Sequence, residues 1–139
     1  MTGSTIVQRL IEQPLVRDLE ARAAQAVLAL RHCIACRRTG RDPQPELERR
    51  WEAEAAARRF QLALVAIGDV WPDPFAVAPP CCPRLTYDEA LLGAMLGAVS
   101  QGDRALFDRL TAEMLSEDAR GLLFAALDNF LSAQRAGRA

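Results

Sequence analysis

The sequence predicts an all-α fold. Its apolar residues recur at three- and four-residue steps, the helical period rather than the strand period. Ala and Leu dominate the apolar half of the chain while β-branched residues are sparse, which favours helix over sheet. Helix-start and helix-stop residues punctuate the chain between these stripes.

Taken in order, Thr5 to Gln13 carries a short stripe of Ile6, Val7, Leu10 and Ile11, and Pro14 either ends it or opens the next helix. From Leu15 to Arg38 the positions Leu15, Leu19, Ala23, Ala26, Val27, Leu30 and Ile34 predict a first long helix, which Gly40 is placed to end. Asp42 and Pro43 read as the cap and first residue of a second long helix. Its apolar stripe is Leu47, Trp51, Ala55, Leu62 and Val65, and it reaches about Ile67. The short link between the two predicts an antiparallel hairpin.

Composition then changes. Asp69 to Arg84 holds five prolines, two aromatics and two cysteines, so an extended connector is expected, with Trp71, Phe75 and Val77 lying against the bundle. Thr86 and Glu89 have capping-box spacing, opening a helix with the stripe Leu91, Leu92, Met95, Leu96 and Val99. Ser100 to Gly102 breaks it, and Asp103 starts a short helix carrying Leu106, Phe107, Leu110 and Met114. Ser116, followed by Glu117 and Asp118, starts a last helix whose Leu122, Leu123, Phe124, Leu127, Phe130 and Leu131 occupy more than one face. That helix should sit centrally, and the tail from Ala133 should fray. The expected architecture is a single domain over residues 1–139, orthogonal or bundle-like. N-terminal helices that include the long hairpin (1–68) lead through a Pro/Cys-rich connector (69–84) to three shorter helices (85–136).

A chain of 139 residues can bury a core without disulfide or metal staples. All 17 basic residues are Arg, which excludes catalysis by a lysine Schiff base or a P-loop lysine. The net charge of −1 gives no bulk attraction to nucleic acid or an anionic membrane. Charge is mildly uneven: residues 1–84 hold 12 Arg and 10 acids, residues 85–139 hold 5 Arg and 8 acids. With no long apolar run and no visible export signal, the expected setting is the reducing cytoplasm, which suits four free cysteines.

His32, Cys33 and Cys36 share the end of the first long helix, and Cys81 and Cys82 lie in the connector. Thiolates and imidazole suit zinc or an iron–sulfur cluster, which makes these five residues the candidate metal or redox site. Against it, Cys33 and Cys36 lie inside a helix, adjacent cysteines are awkward ligands for one ion, and buried cysteine is a common small core residue. Core packing is the expectation, and no cofactor is called for. Arg31, Arg37, Arg38, Arg41, Arg49, Arg50, Arg58 and Arg59 form a patch that could meet phosphate, but Asp42, Glu46, Glu48, Glu52 and Glu54 are interleaved. Solvated ion pairs along helix faces explain that pattern better than a nucleic-acid surface. Gly93 and Gly97, four apart, predict close approach of a neighbouring helix, within the chain or across a dimer. The lone His32 has no nucleophile or paired carboxylate at motif spacing, so no catalytic residue is indicated.

The run from Pro79 to Leu92, PPCCPRLTYDEALL, resembles a stretch in a group of small helical proteobacterial proteins. There a cysteine–proline run precedes a Thr-x-Asp-Glu-Ala helix start, often with one more cysteine than this chain has. The resemblance spans about Ala78 to Met95. It implies an all-helical fold, draws attention to the Cys81–Cys82 connector and implies no activity. The functional expectation is a non-catalytic helical interaction or regulatory module that uses the surplus apolar helix faces, acting on itself as a homo-oligomer or on another protein. Trp71, Phe75, Gly93 and Gly97 are its candidate contact surfaces. A metal or redox sensor and a small-ligand-binding helical protein are the alternatives.

Overall fold

A computed structural model describes residues 14–137, so the stripe expected over Thr5–Gln13 lies outside the described residues. A 3-10 turn at Val16–Asp18 precedes six α-helices: α1 (Ala21–Arg38), α2 (Gln44–Trp51), α3 (Glu54–Val70), α4 (Tyr87–Ser100), α5 (Arg104–Thr111) and α6 (Glu117–Ala136). The fold class expected from the sequence is thus observed. None of the described helices is long and apolar enough to cross a membrane.

Where the sequence carries capping chemistry, helices start on it. Thr86 Oγ1 accepts the Glu89 N–H at 3.0 Å, and the Glu89 carboxylate accepts the Thr86 N–H at 2.9 Å. Asp103 caps α5 through the Leu106 N–H, and Ser116 caps α6 through the Ala119 N–H. Gly40 and Gly102, at φ 69° and 68°, take the left-handed conformation that ends the helices before them.

Three expectations are corrected by packing. The first long helix begins at Ala21, not Leu15, because the chain at Pro14–Val16 runs extended beside the connector. Val16 N–H donates to the Pro83 carbonyl at 2.8 Å and Leu85 N–H to the Pro14 carbonyl at 2.7 Å. The Glu20 carboxylate then caps α1 through the N–H groups of Arg22 and Ala23. The second long helix is in fact two, α2 and α3, parted at Glu52, whose φ of 52° is left-handed. A straight helix would hold Trp51 and Phe60 about 13.5 Å apart along its axis. Instead their ring centroids lie 4.9 Å apart, and each lies 5.0–5.1 Å from Phe130. Burying three aromatic rings together outweighs one unbroken helix. Finally, the described part of the tail stays in α6 as far as Ala136 rather than fraying from Ala133. Ala133 and Gln134 are buried, and a Cβ placed on Gly137 would stand 2.6 Å from Ala53, so the end of α6 is docked at the break.

The break also changes which residues face inward. Leu47 and Trp51 are buried as expected, but α3 turns Ala56, Phe60, Ala63, Leu64 and Ile67 to the core. Ala55, Leu62 and Val65, expected on the core stripe, face outward. Ala53 meets Gly137 and Phe60 meets Phe130, so α3 and α6 run antiparallel, and theirs is the most extensive pairing in the fold. α1 packs chiefly on α4, and α6, expected among the shorter helices, is the longest. One continuous core joins these pairs, from Ala26 on α1 to Ala133 on α6.

Replacing Glu52 by Gly relieves the left-handed strain without touching the core. The variant is expected to gain about 0.5–1 kcal/mol in urea unfolding, and a loss of stability would show that the Glu52 side chain itself holds the turn.

Candidate functional site

The two cysteine pairs occupy different environments. Cys33 is fully buried on α1 and Cys36 nearly so, while Cys81 is exposed and Cys82 half-buried in the connector; all four are free thiols. Burial pushes the Cys33 thiol up to about 11, leaving almost no thiolate at neutral pH. His32 Nε2 lies 3.4 Å from the Cys36 sulfur. Burial lowers the affinity of the His32 imidazole for a proton, and the Arg50 and Arg41 guanidiniums lower it further, against an opposing pull from Glu46. Among the described residues, no three His, Cys, Asp or Glu side chains come together as a set able to hold a metal ion.

What joins the cysteine-bearing segments is an ion pair that the sequence reading missed. Arg31, on α1, and Glu89, in the first turn of α4, are both completely buried. Arg31 Nε donates to one Glu89 oxygen at 2.7 Å and Nη2 to the other at 2.9 Å, a bidentate fork. The same guanidinium donates to the carbonyls of Cys82 at 2.7 Å and Arg84 at 2.8 Å. Glu89 also accepts the N–H groups of Thr86 and, at 3.3 Å, Ala78. Beside it, Asp88 accepts the Ala76 N–H at 2.7 Å, and the Thr86 hydroxyl donates to the Ala76 carbonyl at 2.7 Å. The pair therefore ties α1, the connector and α4 into one unit, and hydrogen bonding to Glu89 raises the Arg31 guanidinium above its ordinary value. Arg31, grouped from sequence with the solvated arginines, is corrected to a core residue. The only signal available was its position four residues after Val27, on the face that α1 buries.

Solvated ion pairs do account for other members of the arginine patch. Arg49 and Arg50 pair with Glu46, and Arg58 pairs with Glu54, at three- and four-residue steps along exposed helix faces. Such pairs contribute about 0.2–0.5 kcal/mol each. Asp108, held below the usual carboxylate range by its hydrogen bond to Arg104 and by Arg120, plays the same surface role between α5 and α6.

The proposed contact residues divide. Trp71 is buried against the half-buried Phe75, their rings 5.1 Å apart, so the connector's aromatics pack on the bundle as expected. Gly93 is buried too. A Cβ there would stand 3.1 Å from a Leu19 methyl, so the close approach it permits is within this chain. Gly97 is exposed and lines a groove of about 530 Å³ between the start of α1 and the outer face of α4, with Leu19, Ala23 and Ala94. Among the described residues, the exposed large apolar side chains are elsewhere: Leu62 (60% exposed) and Val65 (51%) on α3, Leu122 (55%) on α6, Tyr87 on α4 and Leu28 on α1.

Two measurements check this description. Removing one partner of the buried pair, as in Arg31→Met, should cost about 3–5 kcal/mol in urea unfolding, with the double variant Arg31→Met/Glu89→Leu losing less than the sum of the singles. Additive losses would mean the two side chains are not coupled. His32 should titrate in proton NMR with a midpoint below 6.5. Because the folded state holds that proton less tightly than the unfolded state, its contribution to stability is present above 6.5 and is lost as the pH falls through the folded midpoint.

Compared with known proteins, the chain matches no family model, no curated protein and no solved structure.

Proposed function

We propose that this protein is a non-catalytic helical interaction module that works as a homo-oligomer. The observation that carries the reading is the outer face of α3, where Leu62 and Val65 stand in solvent on the side opposite the core. Single exposed apolar residues are ordinary on any protein. Two of them one turn apart on the most outward line of a helix form a surface whose covering would be favourable. The strongest polar constellation is consistent with the same reading. Arg31 and Glu89 are sealed from solvent and bonded to the backbone around them, which suits holding a scaffold rigid rather than turning over a substrate.

Size-exclusion chromatography with light scattering tests the reading on the full chain. The mass should exceed the 15.3 kDa of one copy and rise toward a defined multiple with concentration. A mass that stays at one copy up to the highest attainable concentration would remove the homo-oligomer.

A further inference from the structure

We infer, building on the interaction reading above, that α3 of one copy pairs with α3 of a second copy, antiparallel and across a two-fold axis, through the stripe Arg58, Leu62, Val65 and Asp69. These residues are spaced four, three and four apart, so at 100° per residue they fall within an arc of about 60°. All four are exposed, and the arc lies opposite the buried Phe60, Ala63, Leu64 and Ile67.

The charges on this stripe select both the occupant and its direction. In an antiparallel pair, the register that sets Leu62 against the partner copy's Val65 also sets Arg58 against the partner copy's Asp69. Two-fold symmetry repeats both contacts, giving an apolar centre closed at each end by an ion pair. A parallel pairing would instead place arginine on arginine and aspartate on aspartate. The helix ends favour the same arrangement. Within one copy, Arg58 stands in the N-terminal half of α3 and Asp69 at its C-terminal end, opposite to what the helix dipole prefers. Antiparallel pairing carries Arg58 to the partner's C-terminal end and Asp69 to its N-terminal half, where the dipole favours each.

Neither charge is tightly held within one copy. Arg58 is engaged by Glu54 in a pair that is two-thirds exposed on both sides and therefore worth little. Asp69 makes no ion pair among the described residues.

Charge exchange between copies tests the pairing. Arg58→Asp and Asp69→Arg each place like charges at both ends of the homodimer, and each should weaken self-association by at least about tenfold in analytical ultracentrifugation. Mixed in equal amounts, the two variants should form a heterodimer of near wild-type affinity, because both of its ends are again opposite charges. Leu62→Gln should weaken association with no rescue by either partner. Helicity by circular dichroism should be unchanged in all three, since each position is exposed. Variants that associate like the wild type, or a mixture no tighter than its components, would overturn the α3 pairing while leaving a homo-oligomer through another face. A wild-type chain that never leaves the monomer would overturn both the pairing and the homo-oligomer.

Discussion

The buried pair of Arg31 and Glu89 is the constraint around which the rest of this molecule is arranged. Taking two opposite charges out of water costs several kcal/mol per ion, and the cost is offset only where every remaining donor and acceptor finds a partner. Here the carboxylate receives both prongs of the guanidinium fork and two backbone N–H groups, and the guanidinium reaches two carbonyls besides. Those backbone groups belong to Ala78, Cys82, Arg84 and Thr86. A proline-rich segment that cannot form a helix thereby acquires a defined path. It in turn supplies the edge on which Pro14–Val16 lies, which delays the start of α1. One ion pair thus specifies the connector, the entry to α1 and the capped start of α4 together.

The other half of the fold rests on shape rather than charge. Trp51, Phe60 and Phe130 meet at the junction of three helices, and the left-handed residue at Glu52 lets α2 fold back far enough for them to do so. The close seat of Gly137 against Ala53 locks the end of α6 into the same corner. With α6 covering its inner face, α3 turns its opposite line outward, and that line is the apolar surface on which the functional reading depends.

The cysteines illustrate how the same side chain serves two ends. Cys33 and Cys36 fill space on the buried face of α1, where the low-polarity surroundings hold the Cys33 thiol protonated. Cys82 instead contributes its backbone carbonyl to Arg31, so its part in the fold lies in the main chain rather than the sulfur. His32 at the boundary between helix and solvent is held toward its neutral form by burial and by two nearby guanidiniums.

The all-helical class and many helix ends were legible from sequence because they are properties of single short segments. Thr86 with Glu89, Asp103, Ser116, Gly40 and Gly102 act within one turn of chain, and each does in the structure what its chemistry dictates. The burial of Arg31, the break at Glu52 and the docking of Gly137 were not legible, since each depends on a residue far along the chain: Glu89, Phe130 and Ala53. The outward turn of Leu62 and Val65 follows from that break. Periodicity read through an unbroken helix puts them on the core stripe with Trp51, whereas a single left-handed residue resets the phase and delivers them to solvent. Local sequence settles what each segment prefers to be. Contacts between distant segments settle where it bends and which face it hides, because only there can burial of rings and pairing of charges outweigh a local preference.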